Sequence, residues 1–271
     1  MKKKNPDNEQ IQKFKLVLGN EIYLVRNGLC AENYVPKQDQ YFHFILLAKD
    51  KIGHKQIREI STRAWRRSYM ARNMRRVPTY YQDIIDIIGT NPGHVIGSTA
   101  CLGGQLPAKI LSFYKTNDPN EKAYIYAWCQ RMNEIFGKGN FYFEMQPSAN
   151  CDQKIVNNFL CELSKELDIP YIITTDSHYL KKEDANIHEA YLNSQDGDRE
   201  VKSFYASTYM MGTEELIGYM TELTSDEVQQ GFTNIQEVLD KCEEYSLKKS
   251  LKIPQLPWKT FSIPQNLDTW R

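Results

Sequence analysis

Apolar residues recur along this chain in two alternating rhythms, short unbroken runs and stripes at helical spacing. Phe14 to Leu18 and Ile22 to Val25 read as strands with Gly19-Asn20-Glu21 between them, and Phe42 to Ala48 is almost wholly apolar. Runs of that kind suit strands buried on both faces. Lys55 to Met70 and Tyr81 to Ile88 carry helical spacing, and Val95-Ile96-Gly97 is a short strand running into Ser98-Thr99-Ala100-Cys101-Leu102-Gly103-Gly104. Pro119 to Phe136 places Ala123, Ala127, Trp128, Met132 and Ile135 on one stripe that Gly137 and Gly139 end. Phe141 to Met145 predicts a strand, and Asp152 to Leu167 predicts an amphipathic helix through Ile155, Phe159 and Leu163. Pro170 opens a strand at Tyr171 to Thr175 that delivers Asp176-Ser177-His178 at its end, and a helix follows over Glu183 to Leu192. Strand and helix in alternation predict the α/β class, as an open sheet or a barrel. After Gly197 the texture changes to two helices, Glu214 to Met220 and Ser225 to Tyr245 with Ser225 as N-cap, and then to a proline-punctuated tail suited to an extended connector.

Composition narrows the class of protein more than its chemistry. The 271 residues allow one to two domains, and 41% hydrophobic with 25% charged residues is ordinary globular usage. A disordered tail, a collagen-like chain and a coiled coil are excluded. Lys+Arg and Asp+Glu balance at 34 each, which argues against coating nucleic acid by bulk charge. The balance hides a local excess, because Arg63, Arg66, Arg67, Arg72, Arg75 and Arg76 fall within one short stretch with Trp65, Tyr69, Tyr80 and Tyr81 interleaved. That mixture suits phosphate contact and base stacking, and equally a solvated helix face with aromatics packed inward. No run approaches the ~20 apolar residues that span a bilayer, and the basic opening MKKKNPDNEQ has no apolar run behind it, so a cytoplasmic protein without a signal peptide is expected. The six cysteines show no C-x-x-C spacing and are expected as reduced thiols.

Functional side chains of α/β sheets and barrels collect at strand C-termini. Four pieces qualify: Glu21 after the first strand, His43 in the buried run, Cys101 after the Val95 strand, and Asp176 with His178 after the Tyr171 strand. Carboxylate, imidazole and thiolate together are the donor inventory of a transition-metal site. On an extended segment Asp176 and His178 point the same way, so both can face one ion. Each piece also has a plain structural explanation. Asp176 can be a helix cap, His43 a hydrogen-bonded core histidine, Cys101 a small buried hydrophobe, and Glu21 a turn residue. His188, on the helix after Asp176-Ser177-His178, suits packing or contact with a ligand better than ligation.

In order, however, Gly19-Asn20-Glu21-Ile22-Tyr23, His43 to Lys49, Ser98 to Gly104, Phe143-Glu144-Met145-Gln146 and Thr174 to Leu180 resemble successive motifs of one domain. It is the polymerase-and-histidinol-phosphatase (PHP) domain at the head of the bacterial replicative DNA polymerase III alpha subunit. Arg76 to Tyr80, and Phe204-Tyr205-Ala206 through Tyr209-Met210, resemble versions in phages and their bacterial hosts. The resemblance runs from Phe14 to Leu256. It implies a distorted seven-stranded β/α barrel of TIM-like kind holding metal ions at strand C-termini, with phosphoesterase or 3′–5′ exonuclease activity in some members and a purely bracing role in others. Under it Glu21, His43, Cys101, Asp176 and His178 occupy metal-ligand positions, for zinc or manganese. His54 and His94 match none. The family's opening His-x-His, following Asp and Asp-His turn have no counterpart, since His43 is the first histidine here.

The expectation is therefore an incomplete β/α barrel over 14–200, after a polar segment 1–13, with a helical extension 201–250 and a proline-rich linker 251–271 toward a polymerase core. Its metal site is partial, possible exonuclease activity needs a complementary N-terminal piece in trans, and no polymerase carboxylates are assigned. Expected partners are that piece or the polymerase core, with DNA possible and no membrane. The alternatives are a free-standing metal-dependent phosphoesterase of the same superfamily and a non-catalytic polymerase-binding module.

Overall fold

The architecture was obtained as a computed structural model, and it describes residues 15–36, 38–71, 74–194, 205–248 and 250–251. Its centre is a six-stranded sheet built from β1 (Gly19–Val25), β2 (Phe42–Ala48), β5 (Pro78–Tyr80), β6 (Val95–Ser98), β7 (Phe141–Met145) and β8 (Tyr171–Ile173). The strand order is β5-β1-β2-β6-β7-β8, while β3 (Tyr69–Ala71) and β4 (Met74–Arg76) form a separate antiparallel hairpin. The β1–β5, β6–β7 and β7–β8 ladders are parallel and the two ladders made by β2 are antiparallel. The fold is mixed α/β with a parallel-rich sheet. Among the described residues its two edges, β5 and β8, do not pair with each other.

Side chains alternate between the two faces of a strand. On one face Ile22, Leu24, Phe44, Leu46, Val95, Phe141, Phe143 and Ile173 form the main core. Four helices cover it: α1 (Lys51–Arg66), α3 (Gln105–Thr116), α4 (Pro119–Phe136) and α5 (Cys151–Leu167), with α2 (Tyr81–Ile84) running on into a π-helical turn at Ile85–Gly89. The Phe136 ring lies where a Cβ on Gly97 would come within 2.6 Å of it, so that glycine lets α4 seat on β6. Full burial of each such aromatic is worth about 1.5–3 kcal/mol. The opposite face carries Glu21, Tyr23, His43, Leu47, Ile96, Ser98, Tyr142, Glu144, Ile172 and Thr174. Its apolar end, Leu47, Ile96, Tyr142 and Ile172, is sealed by Ile235, Val238 and Cys242 and by Val17. Those first residues belong to α8 (Ser225–Lys241) and its cap. α8 also joins the β8 edge through Asn234 Nδ2 to Tyr171 O at 2.7 Å and Tyr171 Oη to Glu227 O at 2.7 Å. Two further helices, α6 (Ala185–Asn193) and α7 (Thr213–Tyr219), complete the set.

Several sequence expectations are corrected. Residues 15–18 form no strand, and Phe14 lies outside the described residues, as do 1–13, the Gly197 boundary, Phe204 and 252–271. The supposed turn Gly19-Asn20-Glu21 is the start of β1, because its register with β2, from Gly19↔Leu47 to Leu24↔Phe42, overrides the local turn preference. The helix expected at Lys55 to Met70 is α1, displaced toward its Asp50 N-cap, whose Oδ1 accepts from Gly53 N at 2.8 Å, while Met70 belongs to β3. The last strand stops at Ile173 rather than Thr175, and α8 is capped by Thr224 rather than Ser225 and ends at Lys241 rather than Tyr245. Gln105–Thr116 had no predicted helix. Pro107 in its first turn is compatible with a helix start and disguised it. None of the six cysteines is in a disulfide.

Candidate metal centre

The polar end of the second sheet face is where the expected ligands meet. Glu21 and Tyr23 share one face of β1, and His43 pairs with Tyr23 across the ladder, so Glu21 and His43 are diagonal neighbours. Glu21 Oε1 lies 2.8 Å from His43 Nδ1, inside β1 rather than after it. The third group arrives on the loop after β6. Ala100 holds a left-handed φ of 58°, Gly104 N donates to Cys101 O at 2.8 Å, and His43 N donates to Gly103 O at 3.0 Å, which folds the loop back onto β2. Cys101 Sγ then stands 3.4 Å from the same His43 Nδ1. A Cβ on Gly103 would lie 3.3 Å from the His43 ring and 3.5 Å from Cys101 Sγ, so only glycine leaves these two groups uncrowded. One ligand atom from each of Glu21, His43 and Cys101 falls within 4.8 Å of the other two.

Electrostatics mark the same convergence. Hydrogen bonds to Cys101 and then to Glu21 push His43 up to about 10, against the effect of burial. The hydrogen bond with His43 holds Glu21 below its usual range despite partial burial. His43 Nδ1 therefore faces both the Glu21 carboxylate and the Cys101 sulfur. This donor set fits a divalent transition metal: three different side-chain ligands with thiolate and imidazole among them leave a position open for a substrate or water.

Asp176 and His178 approach differently from the expectation. Asp176 has a φ of 46°, so the segment is not extended and the two side chains do not alternate as on a strand. His178 Nδ1 turns to the Asp176 main-chain oxygen at 2.6 Å, leaving the carboxylate 3.9 Å away. Burial raises the Asp176 carboxyl; His178 and His43 partly offset this and Glu21 adds to it, which places Asp176 within electrostatic reach of the trio. A strap from 207–210 fixes the loop, with His178 N donating to Thr208 O at 2.7 Å and Met210 N to Tyr179 O at 3.2 Å. The His188 ring is 5.6 Å from that of His178 and 5.3 Å from that of Tyr179. His94 pairs with Asp50 at 2.5 Å and His54 packs near Tyr245, so both serve α1.

Glu144, to which the sequence assigns no role, neighbours Asp176 electrostatically. It is fully buried on β7, accepting from Thr174 Oγ1 at 2.6 Å and from Ser98 Oγ, and burial raises its carboxyl. The signal was a lone acid inside the apolar run FYFEM. The arginines do not form one stripe. Arg67 forks onto Asp83 at 2.5 and 2.9 Å and stacks over Tyr80, and Arg63 serves Glu59 and Asp86. Arg66 is exposed at the end of α1, Arg75 reaches Ser68 Oγ at 3.1 Å, Arg76 lies over the Tyr41 ring, and Arg72 is outside the described residues.

The chain is 35% identical over 97% of its length to the "DNA-directed DNA polymerase" of Bacillus phage SPbeta, covering 20% of that protein. It is 27% identical over 94% of its length to the "DNA polymerase III subunit alpha" of Borreliella burgdorferi, again covering 20% of the relative. The chain thus spans about a fifth of these relatives. Among the described residues no helix is long and apolar enough to cross a membrane. The PHP domain model matches residues 2–148, a stretch that holds Glu21, His43 and Cys101. With more than half its length matched by that model, the chain belongs to the PHP domain family.

Proposed function

We propose that this chain acts in DNA replication as the PHP portion of a polymerase of the alpha-subunit kind, and that Glu21, His43 and Cys101, with Asp176 and His178 beside them, hold a divalent zinc or manganese ion. The carrying observation is the trio itself, three donors from separate stretches of chain brought within 4.8 Å. A bound ion would supply Lewis-acid stabilisation of phosphoryl charge and activation of water. The chain's own residues set the rest. Glu144, held by Ser98 and Thr174, is a buried carboxyl within electrostatic reach of Asp176, and Gly103 keeps the space between His43 and Cys101 open. With the missing N-terminal ligands supplied in trans, the reaction this supports is hydrolysis of a phosphodiester at a single-stranded 3′ end. The open sheet is read as part of a distorted β/α barrel over 14–200, with 201–250 as a helical extension and the polymerase core as partner.

Cobalt titration tests the metal reading. A thiolate-to-cobalt absorption band is expected in the wild-type chain, lost in Cys101→Ser and shifted to much weaker cobalt binding in His43→Ala. Equal cobalt binding by wild type, Cys101→Ser and His43→Ala would refute it. Release of a 3′-labelled nucleotide from single-stranded DNA with Mn²⁺, in the presence of a complementary N-terminal His-x-His piece and abolished by the same substitutions, is the corresponding activity.

A further inference from the structure

Beside the trio lies an aromatic wall that none of the chemistry above uses. Period-two alternation puts Tyr23 on the same face of β1 as Glu21, and Tyr41, two residues before His43 and just ahead of β2, comes close to it. The Tyr23 ring meets the His43 ring at 5.3 Å and the Tyr41 ring at 6.0 Å, both edge to face. Tyr34 extends the array at 6.1 Å from Tyr41 and Tyr69 follows at 6.3 Å from Tyr34, and the Tyr41 and Tyr69 hydroxyls hydrogen-bond. The β3–β4 hairpin supplies the cation: Tyr69 and Arg76 are a directly opposed pair, which sets the Arg76 guanidinium 4.9 Å over the Tyr41 ring. Arg76 has no carboxylate partner among the described residues, and its buried Nε has no hydrogen-bond acceptor. Tyr23 remains 42% exposed at the edge nearest His43.

We infer that this surface is a binding platform for single-stranded DNA, in which bases stack on Tyr23 and its neighbouring tyrosines and Arg76 takes a backbone phosphate, leading the strand end to the Glu21–His43–Cys101 mouth. The inference rests on the metal reading for the direction of the strand. Three features select the ligand. An exposed tyrosine ring accepts any base face. A guanidinium with no carboxylate partner suits phosphate. Arg63 and Arg67 are already committed to carboxylates, and of the remaining described arginines Arg76 is the one that lies over a ring of the tyrosine array. A duplex hides its base faces and is expected to bind poorly.

The test is fluorescence anisotropy of the whole chain with a labelled oligothymidylate of roughly ten nucleotides, in chelator so that binding is separated from hydrolysis. Tyr23→Ala is expected to weaken binding by about tenfold, and Tyr23→Phe, which keeps the ring, to stay within about twofold. Arg76→Gln is expected to weaken binding and to lower the salt dependence by about one counterion. The platform is refuted if the wild-type chain does not bind the oligonucleotide, if Tyr23→Ala and Arg76→Gln bind as the wild type does, if duplex competes equally, or if Tyr23→Phe falls as far as Tyr23→Ala. Cobalt titration of the same variants keeps the two readings apart. Unchanged cobalt binding with unchanged DNA binding in Tyr23→Ala removes the platform and leaves the metal centre standing. A wild-type chain that binds the oligonucleotide through Tyr23 and Arg76 but takes up no cobalt removes the metal centre and leaves the platform standing.

Discussion

Gly53→Ala should destabilise the protein, although a glycine-to-alanine change inside a helix ordinarily stabilises by about 1 kcal/mol. Gly53 lies in the first turn of α1, where an added Cβ would stand 1.9 Å from His94 O and 2.7 Å from His94 C. That carbonyl cannot swing aside, since it accepts from Lys49 N at 3.0 Å while the His94 ring is tied to Asp50, the cap of the same helix. Reaching an ordinary carbon–oxygen contact therefore means moving α1 or the strand entry by more than about 1 Å, at the upper end of the ~1–3 kcal/mol that overpacking costs. Set against the helix gain, the net loss is about 2 kcal/mol. Gly218 in α7 provides the contrast, with nothing within 4 Å of its added Cβ; Gly218→Ala should be stabilising by about 0.5–1 kcal/mol. Urea unfolding followed by far-ultraviolet circular dichroism reads both as opposite shifts in midpoint at unchanged slope. A Gly53→Ala midpoint at or above that of the wild type would show that the α1–β6 junction is not the rigid contact described.

Acid titration should expose the α8 cap. Hydrogen bonds from Lys165 and from the Thr224 backbone hold Glu227 down to about 2. A carboxyl lowered on folding adds stability above its unfolded value near 4.5 and loses it as pH falls from there toward 2, by about 1 kcal/mol after solvent screening of the exposed Lys165. Glu227→Gln should flatten the stability profile in that acid window, and an unchanged profile would remove the assignment. Glu144 has the opposite sign. Its carboxyl is raised by burial, so its contribution is present below the unfolded value and is lost as pH rises through it toward the folded one. Glu144→Gln should weaken that decline toward neutral pH in the same unfolding assay, whereas a steeper decline would contradict a buried, protonation-favouring site.

Much of the sheet was legible because its central strands are buried on both faces, which leaves unbroken apolar runs such as FHFILLA and FYFEM. Which face carried chemistry was not legible from those runs, since alternation carries no label until the register is known. Glu21 illustrates the limit: Gly19 and Asn20 have turn chemistry, and only pairing with Leu46 and Leu47 makes them strand. Asp176 illustrates another, because a left-handed backbone at an aspartate is set by the strap at 207–210 and not by its neighbours in sequence. The arginines were legible as a cluster, yet their pairings with Asp83 and Asp86 lie across the fold. Donor types at the metal centre could be listed from sequence. Their meeting depended on the loop after β6 curling back to His43.

The placement of α8 has a consequence for the order of events on the ribosome. The sheet face that ends in the metal centre is sealed at its other end by residues near 235–242, and two clamps join the extremes of the described chain: Lys15 Nζ to Leu239 O at 2.6 Å and Glu243 N to Lys49 O at 2.6 Å. A nascent chain that has delivered β1 to β8 still has Leu47, Ile96 and Ile172 uncovered. Such long-range closure raises contact order and slows folding. The strands therefore wait for α8 to emerge, and during that interval the exposed apolar end of the sheet is the surface on which a chaperone or a neighbouring nascent chain would act.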